Sequence, residues 1–280
     1  MKKKVCIISA AVCMALLIAS CGSSETELPD LSMLGEVTVV SREEGSGTRT
    51  EFENLVDTDE AGTTDTASST EEVLELVASD ENAIGYVAFS SVEGVEGITA
   101  LDVDGVELTQ ENIANGKYPL CRQYLLAYTG ELSDLETDFI RYIRTAGQEI
   151  VADYCTAVED VNTFLSDESS GSILISGSSS VAPLMEALVE DYYNYNPNAE
   201  ITVEVTDSSE GINAALEGEC DLAMSSRSLE SYEEELLETK VIAADGIAVI
   251  VNESSPLTEL SLDQIETIYD GDITVWSDLE

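Results

Sequence analysis

One repeated pattern restricts the fold more than any other feature: an apolar, β-branched segment, then a hydroxyl-rich turn, then a segment with helical spacing. The turns are Ser46-Gly47-Thr48, Ser179-Ser180 and Ser208-Ser209. Strands that alternate with helices predict an α/β fold. In open α/β sheets the helix N-termini that follow the carboxyl ends of strands form the usual ligand crevice, so we expect these turns to meet at one site.

The stretch VVSREEGSGTRTEF, residues 39–52, contains the first of these turns. A glycine-containing turn that enters a helix directs unpaired backbone N–H groups and the positive end of the helix dipole at one point, which favours an anion. Ser46 and Thr48 add hydroxyl donors, and Arg42 or Arg49 can hold an oxyanion through two parallel hydrogen bonds. The alternative is that Ser46 or Thr48 only caps the helix. A nucleotide-binding P-loop is disfavoured, because no G-x-x-x-x-G-K-[ST] is present.

Composition narrows the classes of function. At 280 residues and 44% hydrophobic content the chain can form one large domain or two ordinary ones. The formal net charge of −46 argues against binding nucleic acid or an anionic membrane surface. The chain has no histidine, which removes Ser-His-Asp and Cys-His catalysis and the commonest transition-metal ligand. We therefore expect a protein that is not an enzyme and has no metal site or cofactor.

The N-terminus predicts export. Residues 2–4 are lysines, residues 5–19 form a short apolar run, and Cys21 follows Ile18-Ala19-Ser20. This arrangement resembles a bacterial lipoprotein signal: residues 1–20 would be removed, Cys21 would carry the lipid, and residues 21–34 would be a tether. An ordinary signal peptide or a membrane anchor is the alternative, although the apolar run is short for a membrane span.

After the signal, three cysteines remain: Cys121, Cys155 and Cys220. Their spacing is unlike that of a metal site, and we expect buried, small apolar residues. One disulfide with one free thiol is the alternative.

Several elements follow from local patterns. Thr70 is a plausible N-cap for a helix over 71–78, and residues 98–108 predict a short hairpin around Asp104-Gly105. Residues 135–154 have helical spacing that Gly147 could break, and 241–251 form an apolar strand interrupted by Asp245-Gly246. A connector over residues 159–172 precedes the point where the strand–turn–helix pattern starts again.

Taken together, six segments resemble the substrate-binding protein of bacterial ABC phosphate transporters. They are ISGSSSVAPLMEAL, EGECDLAMSSRSL, AADGIAVIVN, SLDQIETIYDGDITVWSDL, VVSREEGSGTRTEF and ASDENAIGYVAF. The resemblance covers about 35–155 and 172–280, but the order is rotated: in the family the ISGSSS-type segment comes first and the WSDL-type segment leads into the SREEGSGTR-type segment. The chain is therefore similar to a circular permutant, in which residues 156–172 join the old ends. A shuffled or truncated gene product is the alternative.

The resemblance implies a two-lobed, hinged periplasmic-binding-protein fold (type II-like) with phosphate between the lobes. One lobe would comprise 35–116 plus 252–280, and the other would be contiguous over 117–251. The implied phosphate-binding residues are Ser179, Ser180, Ser208 and Ser226 from the contiguous lobe and Arg42, Ser46, Gly47 and Thr48 from the other.

Two departures from the family bear on selectivity. Some members have an aspartate at position 226, which accepts a proton from phosphate; this chain has serine there, beside Arg227. Because a carboxylate repels a fully ionised anion and a hydroxyl does not, discrimination against sulfate is in question. Glu210 either points to solvent or supplies the missing acceptor.

The expected function is that of an extracytoplasmic lipoprotein, held on the outer face of the cell membrane by Cys21. It would capture inorganic phosphate and deliver it to an ABC permease. The alternatives are a binding protein for another oxyanion, such as sulfate or molybdate, or a phosphate sensor without a transport role.

Overall fold

The computed structural model describes residues 29–279. The predicted signal peptide, the lipidation site Cys21 and most of the tether lie outside the described residues. The strands are β1 Thr38–Arg42, β2 Asp65–Ala67, β3 Ala83–Ala88, β4 Ile98–Ala100, β5 Asp102–Val103, β6 Cys121–Tyr128, β7 Gly171–Ser178, β8 Ala199–Thr206, β9 Leu222–Ser225, β10 Glu238–Asn252 and β11 Glu259–Leu260. The helices are α1 Gly47–Val56, α2 Thr70–Ser79, α3 Gln110–Ala114, α4 Asp134–Ile143, α5 Gln148–Tyr154, α6 Ala182–Tyr192, α7 Ser208–Glu217, α8 Ser231–Glu234 and α9 Leu262–Tyr269.

One long strand, β10, joins the two halves of the molecule. The sheet order is β2-β1-β3-β10-β6-β9-β7-β8, with β4 also on β10. The first part of β10, residues 238–246, pairs antiparallel with β6, and residues 247–251 pair antiparallel with β3. Within each half the outer strands are parallel, β1 with β2 and β3, and β7 with β8 and β9. The structure confirms the α/β class.

The buried apolar residues divide into separate cores on either side of residue 246. Ile247 and Val249 pack in a cluster with Phe52 and Trp276, whereas Ile242 and Ala243 pack in a cluster with residues of β6, α4 and α6. We name residues 29–120 plus 247–279 the terminal lobe and residues 121–246 the central lobe. The lobe boundaries predicted from the sequence, after Gly116 and after Val251, stay predictions.

Helix α1, which carries the first candidate turn, is held to the sheet by aromatic packing. Phe52 is fully buried, stacks on Tyr86 with ring centroids 4.0 Å apart, and meets the edge of Tyr269 at 4.7 Å. Burying one such side chain contributes roughly 2–3 kcal/mol, so the helix N-terminus is rigidly placed.

Local structure differs from the sequence-based expectations at two points. The N-cap of α2 is Ser69, whose hydroxyl accepts from the backbone of Glu72, while Thr70 is the first helical residue. The hairpin expected over 98–108 is reduced to its turn: Val103 and Val106 exchange both backbone hydrogen bonds around Asp104-Gly105, whereas β4 pairs with β10 and β5 with β11. The tight turn at Asp104 survives, but longer-range partners are available to both strands.

Other expectations are confirmed. The helical segment 135–154 is divided at Gly147 into α4 and α5, and the apolar run 241–251 is a strand, although β10 continues through Asp245-Gly246 without the expected interruption. Cys121, Cys155 and Cys220 are free thiols, the first half-buried and the others buried. Among residues 29–279, no helix has the length and apolar character needed to cross a membrane.

Candidate functional site

Residues at the N-termini of four helices belong to one hydrogen-bonded network where the lobes meet: Thr48 of α1, Thr70 of α2, Ser180 before α6 and Ser208 of α7. Helices α1 and α2 come from the terminal lobe, and α6 and α7 come from the central lobe. The first turn of a helix leaves backbone N–H groups without partners and carries the positive end of its dipole. Four such ends in one cleft favour an anion without requiring a positively charged protein.

In the terminal lobe, Arg42 at the end of β1 is only 2% exposed. Its Nε and Nη2 atoms donate to the carboxylate of Glu43 at 2.7 and 2.6 Å, and Nη1 donates to Thr70 Oγ1 at 3.2 Å. Gly45 then turns the chain with a φ of 95°, a conformation that favours glycine. Ser46 Oγ accepts from Arg49 N at 3.4 Å, so this hydroxyl acts as the N-cap of α1.

In the central lobe, buried serine hydroxyls form one cluster. Ser178 Oγ donates to Ser226 Oγ at 2.9 Å, and Ser208 Oγ lies 3.4 Å from Ser226 Oγ and accepts from Ser226 N at 3.1 Å. Strands β7 and β9 approach closely enough for this because Gly177 has no side chain; a Cβ there would lie 2.2 Å from the carbonyl oxygen of Met224. These hydroxyls are therefore available together at the end of neighbouring strands.

Across the cleft, the two sets of residues meet. Thr48 Oγ1 lies 2.9 Å from Ser180 Oγ, and Arg42 Nη2 donates to Ser179 Oγ at 3.2 Å. A Cβ on Gly47 would lie 2.3 Å from Ser208 Oγ and 2.8 Å from Ser226 Oγ. Apart from Ser46, whose hydroxyl caps α1, the residues predicted to bind the anion are thus brought together between the lobes, although their role as ligands stays a prediction.

A buried ion pair beside the cleft was missed by the sequence analysis. Arg122 and Asp245 have no exposed side-chain area, and Nη2 of the arginine lies 2.9 Å from Oδ2 of the aspartate. Tyr124 Oη donates to the same Oδ2 at 2.7 Å. Burial alone would lower the pKa of Arg122, but Tyr124 and Asp245 together raise it, so the guanidinium stays charged. Asp245 was visible in the sequence only as a break in an apolar run, and nothing local identified Arg122 as its partner.

Two charged residues near the serine cluster do not supply an acceptor. Glu210 is exposed, which agrees with the alternative that it points to solvent. Arg227 donates to the carboxylate of Glu233 at 2.7 and 2.9 Å and to Ser209 Oγ at 3.3 Å, so it fixes the loop after β9. The position expected to hold an aspartate in some relatives therefore presents only the Ser226 hydroxyl.

The arrangement combines neutral donors, helix N-termini and guanidinium groups, which suits an oxyanion stripped of water. In the part of the chain that the structure describes, no group of three or more Cys, Asp or Glu side chains is placed to hold a metal ion. Burial raises the pKa of the Cys121 and Cys220 thiols to about 11, so neither is a ready nucleophile at neutral pH.

Comparison with known proteins gives consistent results. A model described as the PBP superfamily domain matches residues 30–146 and 162–280. The chain is 34% identical over 276 residues to the phosphate-binding protein PstS 2 of Streptococcus pneumoniae, covering 94% of each chain. A crystal structure of a phosphate-binding protein of a phosphate ABC transporter from Streptococcus pneumoniae has a TM-score of 0.72 and 34% identity, covering 88% of this chain and 100% of that chain.

The length of the match differs between relatives. The match to PstS 2 extends over nearly the full length of both proteins. The similarity to the phosphate-binding protein PstS of Staphylococcus haemolyticus, at 36% identity, extends over 111 residues, 37% of this chain and 35% of that protein. A rotated order would leave only one block of the chain aligned with the Staphylococcus haemolyticus protein. Permutation relative to that protein stays a prediction. PstS 2, in contrast, matches this chain along its length.

Proposed function

The chain belongs to the PBP superfamily, and from this membership we propose that it captures inorganic phosphate between its two lobes and delivers it to an ABC permease for import. The observation that carries the proposal is the meeting of Arg42 and Thr48 of one lobe with Ser179 and Ser180 of the other. A tetrahedral oxyanion placed among these groups would replace contacts between the lobes with contacts to itself. Binding and closure are therefore coupled.

Closure gives the permease a signal that the ligand is present. The lobes share β10 and the segment that enters β6, and a hinge needs only a few residues that absorb the change in backbone angles. We propose that the permease recognises the closed pair of lobes and that opening releases phosphate to it.

We also propose that the protein works outside the cytoplasm, tethered to the outer face of the cell membrane. The basic and apolar N-terminal segment and Cys21 support this location. A lipid on Cys21 would keep the receptor near the permease, which raises its local concentration there.

A binding role, rather than catalysis, agrees with the chemistry of the cleft. Its hydroxyl groups lack a histidine base, and burial raises the pKa of Cys155 as it does those of Cys121 and Cys220. Release of product from a phosphoester would contradict this part of the proposal.

The proposal is tested by calorimetric titration of the full chain, in detergent, with inorganic phosphate and with sulfate. Tight phosphate binding that excess sulfate does not compete away would support a phosphate receptor. No heat with phosphate from a folded sample would overturn it.

The second candidate is a receptor for several oxyanions, and Ser226 is the observation that favours it. Its hydroxyl is fully buried in the serine cluster, and a hydroxyl does not repel sulfate. In this case both anions would bind the wild type, and Ser226→Asp would bind phosphate but reject sulfate, because only phosphate carries a proton to share with a carboxylate. Equal sulfate binding by wild type and Ser226→Asp would count against this reading.

A further inference from the structure

Arg122 has no role in the function proposed above, yet its side chain reaches the cleft. It lies on β6 directly opposite Asp245 on β10, at the place where β10 passes from one lobe to the other. Its Nε and Nη2 atoms donate to Asp245 Oδ2 at 3.1 and 2.9 Å, and Nη2 also donates to Tyr124 Oη at 3.2 Å. These contacts leave Nη1 directed away from the ion pair.

Nη1 of Arg122 points into the proposed binding site. It donates to Thr48 Oγ1 at 2.6 Å and to the carbonyl oxygen of Ser226 at 3.4 Å. Both of these residues belong to the set that the sequence placed around the anion. Arg122 therefore approaches the site from the hinge strands, where no helix N-terminus is present.

A chain of hydroxyl groups connects the two arginines. Arg122 donates to Thr48, whose Oγ1 lies 2.9 Å from Ser180 Oγ; Ser180 Oγ lies 3.3 Å from Thr70 Oγ1, which accepts from Arg42 at 3.2 Å. The two guanidinium groups thus bracket one row of small donors from opposite ends. An oxyanion that takes the place of contacts between these hydroxyls would lie between two cations.

The same row of hydroxyls lacks an acidic acceptor. Within residues 29–279, the hydrogen bonds of Thr48, Thr70, Ser180 and Ser226 side chains run to one another, to serine hydroxyls or to guanidinium groups, and none runs to a carboxylate. Asp245 Oδ2 is taken by Arg122 and Tyr124. The additional proton of a singly charged phosphate ion would find no carboxylate there to accept it.

We propose that Arg122 is a second anion-binding arginine, and that the site selects the doubly charged form of a tetrahedral oxyanion over the singly charged form. This inference rests on the proposed function and names the charge state of its ligand. Each guanidinium is paired with a carboxylate, Arg42 with Glu43 and Arg122 with Asp245, yet each keeps its Nη1 donor on the hydroxyl row. Because the hydroxyls of that row hold no carboxylate, guanidinium donors at both ends favour a second negative charge on the ligand.

The titratable groups that face Arg122 come from three elements. Asp245 comes from β10, Tyr124 from β6 itself and Cys155 from the end of α5, while α1 and β9 present Thr48 and uncharged residues. Burial raises the pKa of Tyr124 and of Cys155. Inorganic phosphate, in contrast, changes from a singly to a doubly charged ion near neutral pH.

The test is a set of calorimetric titrations of the full chain with inorganic phosphate and with sulfate across neutral pH. For the wild type, the apparent phosphate affinity should rise about tenfold from about pH 6 to about pH 8, following the doubly charged fraction. Sulfate is doubly charged throughout, so its affinity should stay constant and thereby control for titration of the protein. Phosphate affinity that is equal at both pH values would overturn the inference.

Variants separate a ligand contact from a structural role. Arg122→Gln should lower the affinity for each anion at least tenfold and flatten the rise of phosphate affinity with pH. Arg122→Lys should restore part of the affinity and part of the rise. Arg144→Gln, at an exposed ion pair, should match the wild type. Because Arg122→Gln leaves the buried carboxylate of Asp245 unpaired, Arg122→Gln combined with Asp245→Asn provides a second test that removes both charges. A folded variant that keeps the wild-type affinities and pH profile would overturn the inference, whatever its unfolding temperature. A wild type that binds neither anion at any pH would overturn the proposed function, and this inference with it.

Discussion

The terminal lobe presents its half of the cleft from one stretch, residues 42–48, with Thr70 at the start of α2, whereas the central lobe collects its half from the ends of separate strands. The arginine of each lobe follows the same division, one with a local partner and the other with a distant one. Arg42 pairs with its chain neighbour Glu43, whose side chain is 24% exposed, and Arg122 pairs with Asp245, far along the chain and with no exposed side-chain area. A partly exposed local pair can exchange its partner for a ligand at low cost, while a fully buried pair holds one geometry. The comparison indicates that the terminal lobe adapts to the anion and the central lobe defines where it lies.

The largest expected effect is the loss of phosphate affinity on removing Arg42, the cation of the terminal lobe. Arg42→Ala should lower phosphate affinity by about 10²–10³-fold, because truncating the charged partner of a desolvated anion costs about 3–4 kcal/mol. Calorimetric titration measures the change, and Arg144→Ala, which removes a largely exposed arginine paired with Glu159, is the matched control. If Arg42→Ala bound phosphate as tightly as the wild type, the terminal lobe would not supply the cation.

The next effect concerns the stability of the central lobe. Asp138 on α4 is buried and accepts from Tyr192 Oη at 2.7 Å, Ser166 Oγ at 2.6 Å and Asp167 N at 3.2 Å, so it ties the segment before β7 to the lobe core. Asp138→Ala should lower the free energy of unfolding by about 2–4 kcal/mol, because several hydrogen bonds to a charge are lost together. Denaturant titration by circular dichroism measures this loss.

The pH dependence of that loss has a definite sign. Burial raises the pKa of Asp138, but hydrogen bonds from Ser166, Tyr192, Arg141 and the backbone of Asp167 outweigh it and lower the pKa. The stabilisation is therefore present above the ordinary carboxyl pKa and disappears as the pH falls through the lowered value.

Asp160→Ala, on the exposed part of the same segment, is the control. A midpoint equal to that of the wild type would mean that the segment does not depend on Asp138.

The contact between the lobes can be tested at Gly47. Because a Cβ there would lie 2.3 Å from Ser208 Oγ, Gly47→Ala should hinder closure and weaken phosphate binding about tenfold, roughly 1.4 kcal/mol. The stability of each lobe should change little. The control is Gly35→Ala, whose Cβ would make ordinary contact with Asn82 at 3.6 Å. Unchanged affinity in Gly47→Ala would show that the lobes need not approach this closely to hold the ligand.

The smallest expected effect is a change in stability at Glu60, whose carboxylate accepts a hydrogen bond from Ser41, next to the loop of residues 42–48. Burial raises the pKa of Glu60 above its ordinary value of 4.5, although hydrogen bonds from Ser41 and Tyr86 and the charge of Arg49 oppose the rise. A raised pKa contributes stability that is complete below the unfolded value and is lost as the pH rises through the folded value. The stability of the wild type relative to Glu60→Gln should therefore decrease from about pH 4.5 upward.

Fluorescence of Trp276, the single tryptophan, measures this change, because its side chain is buried in the same terminal lobe. Glu235→Gln, at an exposed position, is the control. A free energy of unfolding of the wild type that rose with pH relative to that of Glu60→Gln would contradict the prediction.

The sequence predicted the α/β class, the division near Gly147 and the long apolar strand because each depends on local spacing and on glycine. It also predicted the loop from Arg42 to Thr48, where strand, turn and helix follow one another without a gap. It failed where partners are distant: over 98–108 only the turn of the expected hairpin forms, because β4 pairs with β10 and β5 pairs with β11. The role of the predicted site residues as phosphate ligands stays a prediction.

What the sequence determined by itself is a set of strand–turn–helix units, each with donors at a helix N-terminus, since backbone propensity and hydroxyl placement act over a few residues. Only the tertiary structure decided that Ser178 and Thr70 join the cleft and that Arg122 reaches it beside Asp245. The reason is physical: a buried charge needs a partner, and which partner it has depends on which strands lie side by side, here β6 and β10, not on proximity along the chain.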